Sequence, residues 1–136
     1  MLKDPTKTAE IVQSWKAVQD LCARGNRGHF GAGFFSVPFI TGFYNLPFVL
    51  AYAVLDDTLS ELLKDGVFIC PGDRPLLGRK MKKSRNALPW QDYGLVERGR
   101  FARNDLAHEA KLASKDDCLK YIAAVGAELK AWKIII

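Results

Sequence analysis

Three polar residues in the segment "RNDLAHE" are the first candidates for an active site. They are Arg103, Asn104 and His108, and the last is one of only two histidines in the chain. An arginine presents a fixed fork of donors to an anion, and a histidine exchanges a proton near neutral pH. The alternative is a solvated helix face that happens to carry a histidine.

Helical spacing sets a condition on this cluster. Steps of four residues place Arg100, Asn104 and His108 on one stripe, whereas Arg103 and His108 lie about 140° apart around a straight helix. Arg103 can join His108 only if the helix bends or ends there, if the long side chain reaches round, or if a second subunit completes the site. The stretch before Ser114 leaves room for a helix end, so we expect one close to His108.

Apolar spacing and cap residues predict four long helices, of which the third carries the cluster. In that helix, two glycines either allow close packing of a neighbouring helix or weaken the helix itself. The last helix has a capping-box type start, Ser-Lys-Asp-Asp. The expected limits are Asp4-Pro5 to Arg24-Gly25, about Pro47 to Asp65-Gly66, from Pro89 onward, and from Ser114 onward.

The apolar stripes of these helices predict an all-α fold. No alternating strand pattern competes with them, so we expect an antiparallel four-helix bundle, with residues 1–136 in a single domain. The length of 136 residues, with 49% hydrophobic and 26% charged residues, is typical of one globular domain. Trp15, Trp90 and Trp132 are expected in the core or at an interface.

The segments between the long helices are less regular. Residues 67–72 are expected to form a short strand or a buried turn, and residues 73–84 a short basic helix after an aspartate cap. A Gly/Phe-rich segment, residues 28–46, overlaps an uncharged run from Phe30 to Leu55 that is long enough to cross a bilayer. Glycines and prolines break the run, so we expect the segment to pack over the core or fill a subunit interface instead.

Basic residues are clustered, and the formal net charge is +5. Residues 79–85, "RKMKKSR", contain five basic residues in seven. They could hold an RNA backbone, although a solvated helix face is the commoner meaning of such a run. The candidates for phosphate contacts are Arg79, Lys80, Lys82 and Lys83, together with Arg100.

The cysteines and the N-terminal residues indicate the cellular location of the protein and whether it holds a metal ion. The three cysteines share no close spacing, which argues against a disulfide framework or a zinc knuckle. The polar stretch from Met1 to Thr8 does not look like a signal peptide. The adjacent Asp56 and Asp57 are expected to be solvated or paired with lysines. We therefore expect a cytoplasmic protein without a cofactor or metal.

The order of elements around the cluster resembles the HEPN family (higher eukaryotes and prokaryotes nucleotide-binding). In that family a four-helix bundle carries an arginine, usually followed by a polar residue, and then a histidine four to six residues later. Arg103, Asn104 and His108 in "RNDLAH" match this pattern. The resemblance extends from about Ala51 to the C-terminus, including "LDDTLSELL" and "LLGRKM". It finds no counterpart for residues 28–46.

The resemblance implies an activity and partners. Many HEPN proteins are metal-independent endoribonucleases whose dimers line one cleft with the Arg and His of both subunits, which implies cleavage that leaves a 2′,3′-cyclic phosphate. Arg103 would stabilise charge on the phosphate, His108 would move the proton, and Asn104 would orient either group or the phosphate. The expected partners are a second copy, RNA or a nucleotide, and an antitoxin protein if the chain is a toxin.

Other interpretations stay open at this point. Other HEPN proteins are nucleotide-binding or partner-binding modules without nuclease activity, some of them antitoxin-like. A third interpretation is a purely structural dimer, whose subunits contact each other through the Phe-rich segment. In the fourth, Arg103 pairs with an acid such as Asp92 or Glu97, and His108 merely caps a helix end.

Overall fold

A computed structural model describes residues 2–27, 29–30, 33–34 and 42–136, and five helices make up most of this part of the chain. Two short strands, β1 (His29–Phe30) and β2 (Gly33–Phe34), pair antiparallel. The predicted all-α class is confirmed for the described residues, since these strands have two residues each. The helices are α1 (Pro5–Arg27), α2 (Asn45–Lys64), α3 (Leu77–Ser84), α4 (Tyr93–Glu109) and α5 (Lys115–Ala131).

Side-chain caps begin three of the helices. Asp4, Asp92 and Ser114 each accept a backbone N–H of the following turn, at 2.9, 3.1 and 3.1 Å. These bonds satisfy donors that have no partner within the helix. At the other end of α2, Gly66 takes a φ of +82°, which glycine adopts without strain. The predicted limits of the first and last helices and the end of the second are confirmed to within a few residues.

The other two long-helix starts differ from the prediction. Helix α2 begins at Asn45 instead of near Pro47, because a proline is tolerated in the first turn, where its missing N–H would have no partner. Helix α4 begins at Tyr93 instead of directly after Pro89, because Asp92 supplies the cap.

The stretch before α3 is irregular. The short basic helix begins at Leu77 rather than at residue 73. Pro75 holds the residue before it in an extended conformation, which delays the helix. Residues 67–72 form no strand; Phe68 and Cys70 are buried but Ile69 is 83% exposed, so the segment is an irregular and partly buried connection.

Helix α2 packs against each of the other four helices and forms the centre of the core. Trp15 is buried as predicted, and the half-buried Trp90 places its ring 4.8 Å from that of Trp132. Each buried side chain of this size stabilises the fold by about 1.5–3 kcal/mol. Fully buried members of the core include Val18, Phe48, Leu55, Leu129 and Trp132.

Ion pairs tie neighbouring elements to α2. Asp56 pairs with Lys80 on α3, and Asp57 pairs with Lys7 on α1 at 3.1 Å. The expectation that these two aspartates meet lysines is therefore confirmed. The Lys7–Asp57 pair also raises the pKa of Lys7, chiefly through the side-chain hydrogen bond.

Most of the Gly/Phe-rich segment, residues 28–46, lies outside the described residues. The expectation that this segment covers the core or a subunit interface concerns those residues and stays a prediction. Its described end, from Phe43 to Asn45, is buried. Within the part of the chain that the structure describes, none of the helices has the length and apolar character needed to traverse a bilayer.

Candidate functional site

Arg103 and Asn104 meet directly on α4. The Arg103 guanidinium donates from Nη2 to Asn104 Oδ1 at 2.9 Å, and both side chains are half-buried. Arg103 Nε is buried and has no hydrogen-bond partner among the described residues. Arg103 pairs with neither of the acids considered for it, because Glu97 binds Arg100 and Asp92 caps the helix. No ion pair of Arg103 occurs among the described residues, whereas His108 does lie in the last turn of the helix, as that interpretation also expected.

His108 is exposed in the last turn of α4, one turn beyond Asn104. The helix ends at Glu109, and Ala110 follows in the left-handed conformation with φ 53°. The predicted helix end close to His108 is thus confirmed. No hydrogen bond or ion pair joins Arg103 to His108 within the described residues, and the helix is continuous between them. One chain therefore brings Arg103 and Asn104 together and leaves His108 apart.

A close crossing with α2 fixes the middle of α4. The buried Tyr52 hydroxyl donates to the Val96 carbonyl at 2.7 Å. A Cβ at Gly99 would overlap that hydroxyl and lie 2.9 Å from the Tyr121 ring, so only glycine fits there. Burial raises the pKa of Tyr52, and the positive charge of Arg103 opposes that rise.

A buried carboxylate on α5 fixes the start of α4. Glu128 is fully buried and accepts the backbone N–H groups of Gln91 at 2.6 Å and Asp92 at 2.8 Å. The end of a helix where N–H groups are unpaired favours negative charge, so the carboxylate is satisfied without an arginine or lysine partner. Sequence reasoning missed this residue. A signal existed, because Glu128 lies three residues after Val125 and four before Trp132, on the apolar seam.

A buried asparagine fixes the connector that follows His108. The Asn45 amide donates to the carbonyls of Gly42 and Ala113, each at 3.0 Å, and accepts the Ala113 N–H at 2.9 Å. These bonds join the start of α2 to the connector between α4 and α5. Nothing in the sequence near Asn45 indicated this role, because its main partner is 68 residues away.

Two of the predicted phosphate contacts are used inside the fold. Arg100 makes two hydrogen bonds to Glu97, at 3.0 and 2.7 Å, and its guanidinium lies against Gly78 of α3. The hydrogen bond that Arg100 donates to Glu97 raises the pKa of Arg100. Lys80 is only 5% exposed; it donates to the Ser60 hydroxyl at 2.6 Å and pairs with Asp56.

The other three predicted contacts form an exposed surface. Arg79, Lys82 and Lys83, here called the basic face of α3, are all exposed. None of them pairs with a carboxylate of the described residues. This face is therefore free to meet an anionic partner.

The cluster lies apart from four cavities of the described residues, whose volumes are about 170, 270, 370 and 600 Å³. None of these four is lined by Arg103, Asn104 or His108. No three residues of the His, Cys, Asp and Glu types group closely enough in the described ranges to hold a metal ion. Comparison of the chain with protein-family models, curated proteins and solved structures gives no match.

Proposed function

We propose that this chain is an RNA-binding protein of the HEPN type, an antiparallel helical bundle whose homodimer is a metal-independent endoribonuclease. The observation that carries the proposal is the hydrogen bond from Arg103 to Asn104, together with an exposed His108 one turn further along, at the helix end. Asn104 holds an arginine whose Nε is still unpaired among the described residues. An anion would satisfy that donor.

The proposed reaction uses these side chains in distinct roles. The RNA 2′-hydroxyl attacks the adjacent phosphorus while the bond from phosphorus to the 5′ oxygen breaks, leaving a 2′,3′-cyclic phosphate and a 5′-hydroxyl. Arg103 offsets the charge that builds on the phosphate oxygens, and Asn104 orients the guanidinium. His108 of one copy takes the 2′-hydroxyl proton, and His108 of the other gives a proton to the 5′ oxygen.

A second copy explains how residues on opposite sides of α4 could act together. In a dimer, Arg103 of one chain and His108 of the other can face the same phosphate. Phe101 is 55% exposed and stands on the same helical stripe as His108, and Leu112 is 62% exposed in the connector beyond it. Exposed apolar side chains around a polar site are typical of an interface. We therefore place the dimer contact on this side of α4.

The basic face of α3 supplies the contacts to the RNA backbone in this proposal. Arg79, Lys82 and Lys83 are exposed, so they can neutralise phosphates and release counterions. Lys80 and Arg100 take no part, because both serve contacts within the fold.

The second candidate is a non-catalytic nucleotide-binding or protein-interaction module. The apolar pair Phe101 and Leu112 favours it, because an antitoxin-like partner protein could cover the same surface instead of a second copy. In that case, Arg103 and Asn104 would bind a phosphate or the partner without cleaving RNA.

One assay separates the two candidates. Purified protein is incubated with mixed RNA in the presence of EDTA, as wild type, Arg103→Ala and His108→Ala. Arg98→Ala, an exposed change on the same helix, is the control. We expect the wild type and the control to leave cyclic phosphate ends and the two site variants to lose about a hundredfold in rate. Intact RNA with the wild type, or cleavage at the wild-type rate by both site variants, refutes the nuclease proposal.

A further inference from the structure

A cavity with five polar or charged side chains in its lining lies between the C-terminal half of α2 and the loop that leads into α3. Its volume is about 370 Å³, within the range of pockets that hold small ligands. The polar part of its wall consists of Ser60, Lys64, Asp73, Arg74 and Lys80. Three cations thus face one carboxylate within the cavity itself.

Lys80 is a fixed donor in this wall. Its side chain is only 6% exposed, and its ammonium group is held by the Ser60 hydroxyl, at 2.6 Å, and by Asp56. An ammonium group has three N–H donors, so one remains without an acceptor among the described residues. The Ser60 oxygen accepts from Lys80, which leaves the hydroxyl hydrogen available as a further donor. A buried cation with a spare donor is favourable only if an acceptor reaches it.

Lys64 and Arg74 are the other two cations of this wall. Both are exposed, and neither forms an ion pair with a carboxylate in the described ranges. Asp56 offsets the charge of Lys80, and Asp73 offsets only one of the other two cations. The cavity therefore carries a net positive charge, with a planar guanidinium suited to two oxygens of one anion.

We propose that this cavity binds the phosphate group of a small ligand. Lys80 and Ser60 donate from the buried wall, and Arg74 and Lys64 enclose the remaining oxygens from the rim. The inference goes beyond the proposed nuclease and does not rest on it, because none of the three residues of the candidate active site lines this cavity.

The test is titration of the intact protein, followed by amide NMR, with inorganic phosphate and with a nucleoside 5′-monophosphate. Sodium chloride of matched ionic strength is the reference. We expect saturable shifts of the amides of residues 60–64 and 73–76 at about millimolar ligand. Saturation with inorganic phosphate identifies a site for the free anion, and saturation with the nucleotide alone identifies a nucleotide site; either result supports the inference.

Two exposed variants keep the test independent of folding. Arg74→Gln and Lys64→Gln should each weaken binding by about tenfold, whereas Arg24→Gln, an exposed change on α1, should leave it unchanged. Arg98→Ala, an exposed change on α4, should also bind phosphate normally. Shifts that do not saturate, that chloride reproduces, or that survive both cavity variants would overturn the inference, as would loss of binding in Arg98→Ala.

Discussion

The carboxylate of Glu128 on α5 accepts the backbone N–H of Asp92, the residue that caps α4, at 2.8 Å. Helix α5 therefore determines where α4 begins, and with it the position of every side chain on the candidate site. The same carboxylate accepts the N–H of Gln91, so one buried group anchors two consecutive residues. A carboxylate suits this place because both of its oxygens accept and neither donates.

The first prediction concerns this anchor. Glu128→Gln replaces one acceptor oxygen by a donor that faces a backbone N–H, so we expect a loss of about 2–3 kcal/mol in the free energy of unfolding. Urea denaturation followed by tryptophan fluorescence measures it. Glu109→Gln, exposed at the end of α4, is the control and should change stability by less than about 0.5 kcal/mol. Equal stability of both variants would contradict the anchoring role.

The second prediction uses two glycines of one helix. Gly99→Ala forces a methyl group into the Tyr52 hydroxyl and should cost about 1–3 kcal/mol. Gly94→Ala meets no atom closer than 3.9 Å and should stabilise the helix by about 0.5–1 kcal/mol. Thermal unfolding of both variants is the measurement. In a Tyr52→Phe background, the cost of Gly99→Ala should shrink, and an unchanged cost would show that the close crossing is not the cause.

Whether a contact of the fold or of the candidate site could be predicted from the sequence depends on how far apart the two residues lie along the chain. Asp4 and Ser114 were predictable because a cap and its helix are adjacent in the chain. The helix end near His108 followed from spacing alone. The bonds from Asn45 to Ala113 span 68 residues and leave no local pattern. The burial of Lys80 was hidden in the same way, because a basic run looks uniform until Asp56 is found beside one member.

The third prediction tests Asn104 as a positioning residue, provided that the chain cleaves RNA. Asn104→Ala frees the Arg103 guanidinium, so we expect kcat to fall about tenfold or more while KM changes little. Asn104→Asp adds a negative charge that pairs with Arg103 and competes with the phosphate, so KM should rise as well. Steady-state cleavage of a short RNA separates these effects, with Asn86→Ala, exposed after α3, as the control. Wild-type rates in Asn104→Ala would exclude the positioning role.

The fourth prediction concerns the basic face of α3. If this face binds RNA as proposed, replacing both Lys82 and Lys83 by Gln removes two phosphate contacts, so the plot of log affinity against log salt concentration should become shallower by about 1.4 for single-stranded RNA. Filter binding at several salt concentrations gives the slope. The matched control replaces Lys16 and Arg24, both exposed on α1, by Gln. If the control changes the slope as much as the α3 pair does, the contact is diffuse and not located on α3.

The fifth prediction is a pH dependence of stability. Burial raises the pKa of the Cys118 thiol from 9.0 to about 12. The unfolded chain therefore releases this proton at a lower pH than the folded chain. The contribution is fully present below pH 9 and is lost as the pH rises from about 9 to about 12.

The measurement is urea denaturation at a series of alkaline pH values. Above pH 9 the unfolding free energy should fall as the pH rises, and Cys118 should account for about 1 kcal/mol of that fall per pH unit. In Cys118→Ala, this part of the slope of unfolding free energy against pH should be absent. Val125→Ala truncates a buried neighbour on α5 without a titrating group, so it should lower stability and keep the wild-type slope. Parallel slopes for wild type and Cys118→Ala would contradict the assignment.

The two sides of α4 differ in which residues can be substituted without disturbing the fold. The side that carries Val96 and Gly99 is committed to its neighbours, because each contact there sets the path of the helix. On the other side, Phe101 and His108 are exposed, and Phe101 contacts the Arg100 guanidinium, which lies 4.5 Å from its ring centre. Partner choice can therefore diverge on the outer side, whereas the inner side keeps both the path of the helix and Arg103, which lies four residues after Gly99. A library of substitutions confined to the outer side would explore new specificities without selecting again for folding.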